Sequence, residues 1–362
     1  DLRKGQDILD VWFESGSSWN AVMRERSNGE DFPIDLYLEG SDQHRGWFQL
    51  SLLPSLGVMG EPAFKTLLTH GFMVDKDGKK LSKSKGASLK DLFDRFGADV
   101  LRWWVCGIAY ENDVKVDEEF FKLAGESYRK VRNTFKFMLS NLNEFEADNS
   151  ISFDPTSLDA WVLGEFDTLR TNVINAYNSY AFHEVHKLIY NFCNTTLSGE
   201  YLSAVKDRLY CDSTDSARRK QSQQALFIMT DGLAKLLAPI MCHTSDEAYR
   251  ALHGIDAKDP EQSVHLTGFA SPTGVNASGD WAKVMSMLEN AQKVLELSRV
   301  EQGIDNPLDA GLEIADADGV MSKFNMDDLA DFCGVSRVET IGSGETSVTD
   351  LRNEPRCDRS WK

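Results

Sequence analysis

A lysine-rich loop is the part of this sequence whose residue types and spacing best suit chemistry. Lys79 to Gly86 read KKLSKSKG and follow the turn signal Asp77-Gly78. Lysine ammonium groups are mobile charges that suit phosphate, and serine hydroxyls and loop N–H groups add hydrogen-bond donors. Such a loop stabilises the transition state if it closes as charge builds on phosphate. The segment predicts a polyphosphate-binding loop that is not a P-loop, and an exposed lysine-rich loop is the alternative.

The segments around this loop alternate between strand and helix patterns over about the first 115 residues. The apolar run Leu36 to Leu38 predicts a strand, and Ser41 is placed to cap the helix that follows. Thr66 to Thr69 predict a second, buried strand. Ser88 begins a capping box, and Gly97 ends the helix after it. We therefore expect an α/β region that presents the lysine loop between a strand and a helix.

From Asp117 onward the pattern becomes helical. Apolar residues recur at steps of three and four, which predicts a long amphipathic helix followed by others at about 157–180, 182–209, 216–238 and 244–253. Residues 255–280 are rich in Gly, Pro, Ser and Asp and predict a linker. A helix from Trp281 to Arg299 and apolar runs at Leu312 to Ile314 and Val335 to Ile341 predict a small α/β module.

Composition limits the class of protein. A chain of 362 residues that is 41 % hydrophobic can bury two or three cores and is not a disordered tail. The net charge of −18 argues against a non-specific nucleic-acid binder, so any RNA contact must use local basic patches. No apolar run is long enough to span a bilayer. The six cysteines are scattered, which favours reduced thiols in a cytoplasmic protein.

Several longer motifs share one resemblance. Lys80 to Ser84, KLSKS, resembles the KMSKS signature of class I aminoacyl-tRNA synthetases. The strings VWFESGSSW, DLYLEGSDQHRGWF, LLTHGFMVD, FGADVLRWWV and NFCNTTLSGEYLSAVKDRLYC are similar to segments of the bacterial isoleucyl enzymes and cover nearly the whole chain. The valyl and leucyl relatives share KMSKS but not the string LEGSDQHRGWF. The sequence is therefore identified as a member of the isoleucyl-tRNA synthetase family.

The resemblance implies a multidomain fold and a two-step reaction. We expect the C-terminal half of a Rossmann-type class I catalytic core at 1–115, an α-helical anticodon-binding bundle at 116–256, a linker at 257–280, a small C-terminal α/β module at 281–350 and the start of a degenerate zinc-ribbon-like tail at 351–362. L-isoleucine and ATP with Mg²⁺ would give isoleucyl-adenylate, and the aminoacyl group would then pass to tRNA(Ile). The family also implies a monomer.

The same resemblance assigns roles to single residues. Lys80 and Lys83 would bind the ATP phosphates, and Trp47 would line the isoleucine pocket. The residues that would contact ATP or the adenylate are Glu39, Gly40, Asp42, Gln43, His70, Gly71, Phe72, Met73 and Lys83. Candidates for tRNA contact are Arg129, Arg132 and Arg208. The alternatives are a core role for Trp47, a helix-dipole role for Asp42 and an exposed strand end for Glu39.

The sequence departs from the family pattern at several places. Leu81 replaces the usual Met, and Ala87 replaces a common Asn. A HIGH motif and an editing domain are missing, and Asp1 is not an initiator Met, so we expect a piece of a longer protein that cannot activate isoleucine alone. Ser360 stands where the zinc segment CxxCW has its second Cys, so Cys357 is a vestigial ligand and we expect no zinc.

Two other interpretations remain open at this point. The first is a non-catalytic tRNA-binding module or a degenerate synthetase paralogue, which an upstream HIGH motif in the parent gene would argue against. The second is an unrelated ATP-dependent ligase that uses a lysine loop by convergence. The similarity that extends through the helical region argues against this second interpretation.

Overall fold

The chain forms two compact units. The computed structural model describes residues 3–75, 77–79 and 89–357. Unit 1 comprises Asp1–Asp91 and Ile108–Phe120, and unit 2 comprises Leu92–Gly107 and Phe121–Lys362. Unit 1 mixes strands with helices, whereas unit 2 is mainly helical and ends in a small sheet. The expected multidomain α/β plus α fold class is therefore confirmed.

Unit 1 is built around two parallel strands. Its elements are helix α1 (Val11–Gly16), a π-helical turn (Trp19–Arg24), strand β1 (Ile34–Gly40), a 3-10 turn (Ser41–Arg45), helix α2 (Trp47–Met59) and strands β2 (Phe64–His70), β3 (Met73–Val74) and β4 (Val114–Lys115). Helix α2 provides the crossover that parallel pairing of β1 with β2 requires. The register pairs Ile34 with Phe64 and Gly40 with His70. Both strands thus end at the same edge of the sheet.

Two local predictions in unit 1 need correction. Ser41 does not cap a helix: it begins a 3-10 turn, and α2 begins only at Trp47. The side chain of Gln43 supplies the acceptor at this helix start, since its Oε1 accepts from the backbone N of Trp47 at 3.1 Å. Thr66 to Thr69 form the predicted strand, but their side chains are only half-buried because β2 has a strand partner on one side only among the described residues. The capping box at Ser88 lies outside the described residues.

The helices of unit 2 follow the predicted pattern closely. They are α3 (Leu89–Phe96), α4 (Ala98–Cys106), α5 (Glu118–Ser140), α6 (Leu158–Asn178), α7 (Phe182–Asn191), α8 (Leu202–Ala204), α9 (Lys206–Cys211), α10 (Ala217–Leu237), α11 (Cys242–His253), α12 (Trp281–Gln302) and α13 (Met326–Cys333), of which α3 and α5 each begin in unit 1. The predicted helix at 182–209 is interrupted, because a π-helical segment (Phe192–Tyr201) lies between α7 and α8. The side chain of Ser157 caps α6 by accepting from the backbone N of Ala160.

A three-stranded sheet is formed by the last strands of unit 2. Strands β5 (Ala310–Ala315), β6 (Arg337–Ile341) and β7 (Ser347–Asp350) lie in the order β6-β5-β7, with β6 parallel and β7 antiparallel to β5. One hydrophobic core extends from Trp103 to Val338 and includes residues of the bundle and of the sheet. The division at 256 and 280 therefore stays a prediction. In the described part of the chain, no helix is long and apolar enough to cross a membrane.

Two helical glycines give opposite predictions for stability. A Cβ at Gly232 in α10 would lie less than 3.0 Å from the buried ring of Phe166, whereas a Cβ at Gly125 in α5 would meet only Arg129 Nη1 at 3.6 Å and Val100 at 3.9 Å. We expect Gly232→Ala to destabilise the chain by about 1–3 kcal/mol through overpacking. Gly125→Ala should stabilise it by about 0.5–1 kcal/mol, because alanine favours a helix. Thermal unfolding followed by circular dichroism measures both. A wild-type midpoint for Gly232→Ala would contradict the described packing of α6 and α10.

Candidate active site

The residues expected to bind the adenylate lie together at the carboxyl edge of β1 and β2. Glu39 and Gly40 end β1, and they pair in register with Thr69 and His70 at the end of β2. The crevice beyond the carboxyl ends of parallel strands is the usual ligand site of open α/β sheets. Because Gly40 and His70 are direct partners, the strand pairing brings together two chain segments that are 30 residues apart in the sequence.

Close packing at Gly40 brings three of these residues into contact range. A Cβ at Gly40 would lie 2.9 Å from Asp42 Oδ1 and 3.1 Å from Phe72 Cε1, so only glycine fits without displacing a neighbour. Glu39 is exposed, and its Oε2 accepts from the backbone N of Gly40 at 3.2 Å. Asp42 is exposed as well. The edge thus presents two carboxylates to solvent, and carboxylates can accept hydrogen bonds from hydroxyl or ammonium groups.

The segment after β2 is fixed by residues from later in unit 1. Gly71 N donates to Tyr110 O at 2.8 Å, Phe72 N donates to Asp113 Oδ1 at 2.7 Å, and Val114 N donates to Phe72 O at 2.8 Å. A Cβ at Gly71 would lie less than 3.0 Å from the backbone of Asn112 and Asp113. The sequence interpretation did not single out Asn112 or Asp113. The sequence signal that could have identified them is that both are turn-forming residues and follow a helical segment.

The other predicted residues of this segment differ in exposure. His70 is half-buried, and its Nδ1 lies 2.7 Å from the carbonyl oxygen of Gly71, so one ring nitrogen is engaged with the backbone. Met73 is 46 % exposed and presents an apolar surface beside Phe72 in the chain. Such a surface is suited to packing against a planar base.

Trp47 is half-buried and held on several sides. Its ring stacks on Tyr37 with centroids 4.2 Å apart and planes at 8°. Its Nε1 donates to Ser15 O at 3.0 Å and lies 3.4 Å from Ser18 Oγ. Trp12, which sequence reasoning did not single out, is 42 % exposed, and its ring lies 3.5 Å from where a Cβ of Gly46 would stand. Two tryptophans therefore lie beside the start of α2 and offer apolar surface.

The lysine loop begins at a defined turn. Asp75 N donates to Lys79 O at 2.9 Å, and Asp75 Oδ1 accepts from the backbone N of Asp77 and of Lys79, each at 2.9 Å. Gly78 takes a φ of 78°, which glycine adopts readily. Lys80 and Lys83 lie outside the described residues, so their assignment stays a prediction.

Two of the three arginines expected to contact tRNA lie on the surface of α5. Arg129 is exposed, and Arg132 forms an exposed pair with Glu247 on α11, with N–O distances of 2.6 and 3.2 Å. The hydrogen bonds that Arg132 donates to Glu247 raise the pKa of Arg132 above its ordinary value. Arg132 also lines a cleft of about 600 Å³, together with Asn133 and Lys136. Positive charge and amide groups on this face are suited to RNA phosphates.

Arg208 requires a correction, because it is only 1 % exposed and cannot reach a ligand on the surface. Its Nε donates to Asp331 at 2.9 Å and its Nη2 to Asp328 at 2.6 Å, while its Nη1 lies 3.9 Å from Asp159. Asp159 also accepts from Tyr201 OH at 2.6 Å. Burial raises the pKa of Asp159, and the charge of Arg208 opposes that rise. Arg208 neutralises buried carboxylates, so it is not retained as a tRNA contact.

The zinc expectation concerns the end of the chain. Cys357 is exposed, and Ser360 lies outside the described residues. Over residues 3–75, 77–79 and 89–357, no group of three or more His, Cys, Asp or Glu side chains could hold a metal ion. The expectation of no zinc stays a prediction.

Comparison with known families defines the class of protein. The family model "tRNA synthetases class I (I, L, M and V)" matches residues 1–117, and the model "Anticodon-binding domain of tRNA ligase" matches residues 159–314. The agnB2 LeuRS of Agrobacterium radiobacter, solved in a ternary complex with tRNA and LeuAMS, has a similar fold. Its TM-score is 0.58 at 18 % identity, covering 76 % of this chain and 34 % of that one. The fold is that of part of a class I tRNA synthetase.

Curated relatives narrow the class further. The chain is 38 % identical over 387 residues to the isoleucine–tRNA ligase of Desulfotalea psychrophila, covering 99 % of this chain and 41 % of the relative. The isoleucine–tRNA ligase of Petrotoga mobilis is 36 % identical over 385 residues, with 100 % and 41 % covered. The chain belongs to the isoleucine–tRNA ligase family, which confirms the resemblance inferred from the sequence. It spans about two fifths of the length of these relatives.

The buried arginine generates a stability prediction. Arg208→Met should destabilise the chain by about 3–5 kcal/mol near neutral pH, because it removes the cation that three buried carboxyl groups share and leaves only Asp331 with another, Arg218 at 3.5 Å. Arg132→Met, which removes an exposed pair, should change stability by less than about 1 kcal/mol. Burial raises the pKa of Asp159 and Arg208 opposes that rise, so without Arg208 the pKa of Asp159 should rise further and the loss should shrink as the pH falls and this carboxyl becomes protonated. Urea unfolding at pH 7 and pH 5 measures both effects. Equal losses for the two variants would refute the assigned burial.

Proposed function

We propose that the protein containing this chain is an isoleucine–tRNA ligase, which converts ATP, L-isoleucine and tRNA(Ile) to isoleucyl-tRNA, AMP and pyrophosphate. The observation that carries the proposal is the collection of the expected adenylate residues at one strand edge, in a chain similar to isoleucine–tRNA ligases over 99 % of its length. A cytoplasmic location belongs to the same proposal.

The first step needs positioned reactants more than a protein base. The carboxylate of isoleucine is ionised at neutral pH and attacks the α-phosphorus of ATP, while pyrophosphate leaves. Glu39 and Asp42 provide acceptors for ribose hydroxyls or the α-ammonium group, and Gln43 stands beside them. Gly40 keeps Asp42 and Phe72 close, and Phe72 and Met73 give apolar surface for adenine. Correct placement of two reactants accounts for a large part of such a rate enhancement.

The phosphate side of the reaction belongs to the lysine loop. We assign Lys80 and Lys83 to the ATP phosphates on their sequence motif and on the turn at Asp75 to Lys79 that begins the loop. Magnesium bound to ATP would neutralise further phosphate charge. Trp47, whose indole is fixed beside the first turn of α2, forms one wall of the isoleucine pocket.

The helical region is assigned to tRNA. We propose that the bundle at 116–256 binds the anticodon stem by shape and local charge, with Arg129 and Arg132 as phosphate contacts. The support is their exposure on one helix and the neighbouring cleft that also holds Lys136. A chain of net charge −18 needs such a local positive face to approach RNA.

Pyrophosphate exchange tests the catalytic assignment. In the full-length protein, Lys83→Ala should lower the kcat of isoleucine-dependent ATP–pyrophosphate exchange by about 10²–10³-fold, because it removes a cation that stabilises transition-state charge. Lys65→Ala, which removes an exposed lysine paired with Asp35, is the matched control and should retain wild-type exchange. If a folded full-length protein supports no exchange with isoleucine, valine or leucine, the catalytic proposal is wrong and a non-catalytic tRNA-binding role replaces it.

Salt dependence tests the tRNA assignment. Arg132→Ala should weaken tRNA binding and reduce the slope of log affinity against log salt by about one, the value for one lost phosphate contact. Arg337→Ala is a closely matched control, because Arg337 is equally exposed and also pairs with a glutamate at 2.6 Å. Filter binding with tRNA(Ile) across a salt series measures both. A slope unchanged in Arg132→Ala, or reduced equally in Arg337→Ala, would argue against the α5 surface.

A further inference from the structure

Tyr37 is a buried residue that the proposed chemistry does not use. It lies in β1, is 2 % exposed and shares a small core with Trp19, Phe48 and Ala63. Its ring has a parallel neighbour in Trp47 and a tilted one in Phe64, at 4.2 and 4.9 Å between centroids. The residue is two positions before Glu39, so it connects the backbone of the strand edge to the indole of the proposed isoleucine pocket.

The contacts of Trp47 leave its indole little freedom to turn. The stack on Tyr37 at 8° fixes the plane of the ring. The hydrogen bond from Nε1 to Ser15 O fixes the ring within that plane, and the bond from its backbone N to Gln43 Oε1 fixes the start of its helix. Rotation about the side-chain bonds of Trp47 would break the stack and the indole hydrogen bond together.

The hydroxyl group of Tyr37 contributes differently from its ring. Neither Tyr37 OH nor the Oγ of the buried Ser51 has a hydrogen-bond partner among the described residues. Burial raises the pKa of Tyr37. The hydroxyl therefore remains protonated at neutral pH but anchors no other side chain. The contact with Trp47 depends on the aromatic ring.

We propose that Tyr37 is a positioning residue that sets amino-acid specificity by holding the Trp47 indole as a fixed wall of the pocket. The inference rests on the proposed function, in which Trp47 lines that pocket. A rigid wall rejects a side chain that fills the pocket incompletely, because the wall cannot move in to restore the lost contacts. A mobile wall moves toward the smaller side chain and reduces the difference between isoleucine and valine.

This role separates binding of the amino acid from the chemical step. Tyr37 is buried in the core beside Trp47, and the groups expected at the adenylate belong to other positions at the strand edge. Loss of its ring should therefore raise the KM for isoleucine and leave kcat nearly unchanged. The ratio of kcat/KM for isoleucine to that for valine should fall by about tenfold, within the range for one methylene in an apolar pocket.

The test uses the full-length protein and ATP–pyrophosphate exchange with isoleucine and valine. Tyr37→Leu removes the stacked ring but keeps an apolar side chain, and Tyr37→Phe restores the ring without the hydroxyl. Phe64→Leu is the control for general damage to the same core, since it removes a ring of the neighbouring strand and leaves the Tyr37–Trp47 stack. Thermal unfolding of each variant shows that the compared proteins are folded at the assay temperature.

The expected result is a lower isoleucine-to-valine ratio and a higher KM in Tyr37→Leu, recovery in Tyr37→Phe, and a ratio near wild type in Phe64→Leu. An unchanged ratio in folded Tyr37→Leu would overturn the inference, and so would an equal fall in Phe64→Leu. If Tyr37→Leu does not fold, Tyr37→Met replaces it with the same criteria. Absence of exchange in the wild-type protein would instead count against the proposed function, so the two failures are distinguishable.

Discussion

The parallel pairing of β1 with β2 is the constraint on which the candidate site depends. It places Gly40 opposite His70 and so brings two chain segments with polar and aromatic residues to one edge. Parallel strands need a crossover, and α2 supplies both that connection and Trp47 at its first turn. A shift of one residue in the register would move every side chain of a strand to the other face of the sheet. The positions of Tyr37 beneath Trp47 and of Phe72 beside Gly40 both follow from this alignment.

Unit 2 depends on a different kind of interaction. Its core is continuous and apolar, yet one arginine and three aspartates lie inside it. Asp328 accepts from Arg208 and also from the backbone N of Leu158 at the start of α6. Buried charge is tolerated only where each group has partners, and these four residues satisfy one another and their neighbours. They therefore fix how α6, α9 and α13 meet.

Most helices and strands could be predicted from the sequence, because their apolar periodicity is strong and their ends carry recognisable caps. Helix α6, predicted at about 157–180 and found at Leu158–Asn178, illustrates this agreement. The π-helical segment Phe192–Tyr201 could not be predicted, since one extra residue per turn leaves little trace in an apolar pattern. Ser41 looked like a helix cap, but the 3-10 turn that follows it delays the helix to Trp47.

The residues of the candidate site could be predicted from the sequence only in part. Motifs identified Glu39, Asp42, Phe72 and Trp47, and the structure brings them to one region of unit 1. Tyr37 and Asp113 act through packing and a backbone hydrogen bond across many residues, which no local pattern reveals. Arg208 was misjudged because a positive charge in the sequence says nothing about burial. Two of its neutralising partners, Asp328 and Asp331, are more than 100 residues away in the sequence. The third, Asp159, lies on α6.

The buried cluster of Arg208 with Asp159, Asp328 and Asp331 also limits how the helical bundle and the C-terminal module can be exchanged between proteins in evolution. Two of its carboxylates, Asp328 and Asp331, belong to α13, whereas the arginine that needs them belongs to α9. A recombination event that joined the bundle to a different C-terminal module would have to supply two carboxylates in the same places or replace the arginine at the same time. Exchange of the segment after residue 280 alone would therefore leave a buried charge unpaired, although the linker-like composition of 255–280 favours separable modules.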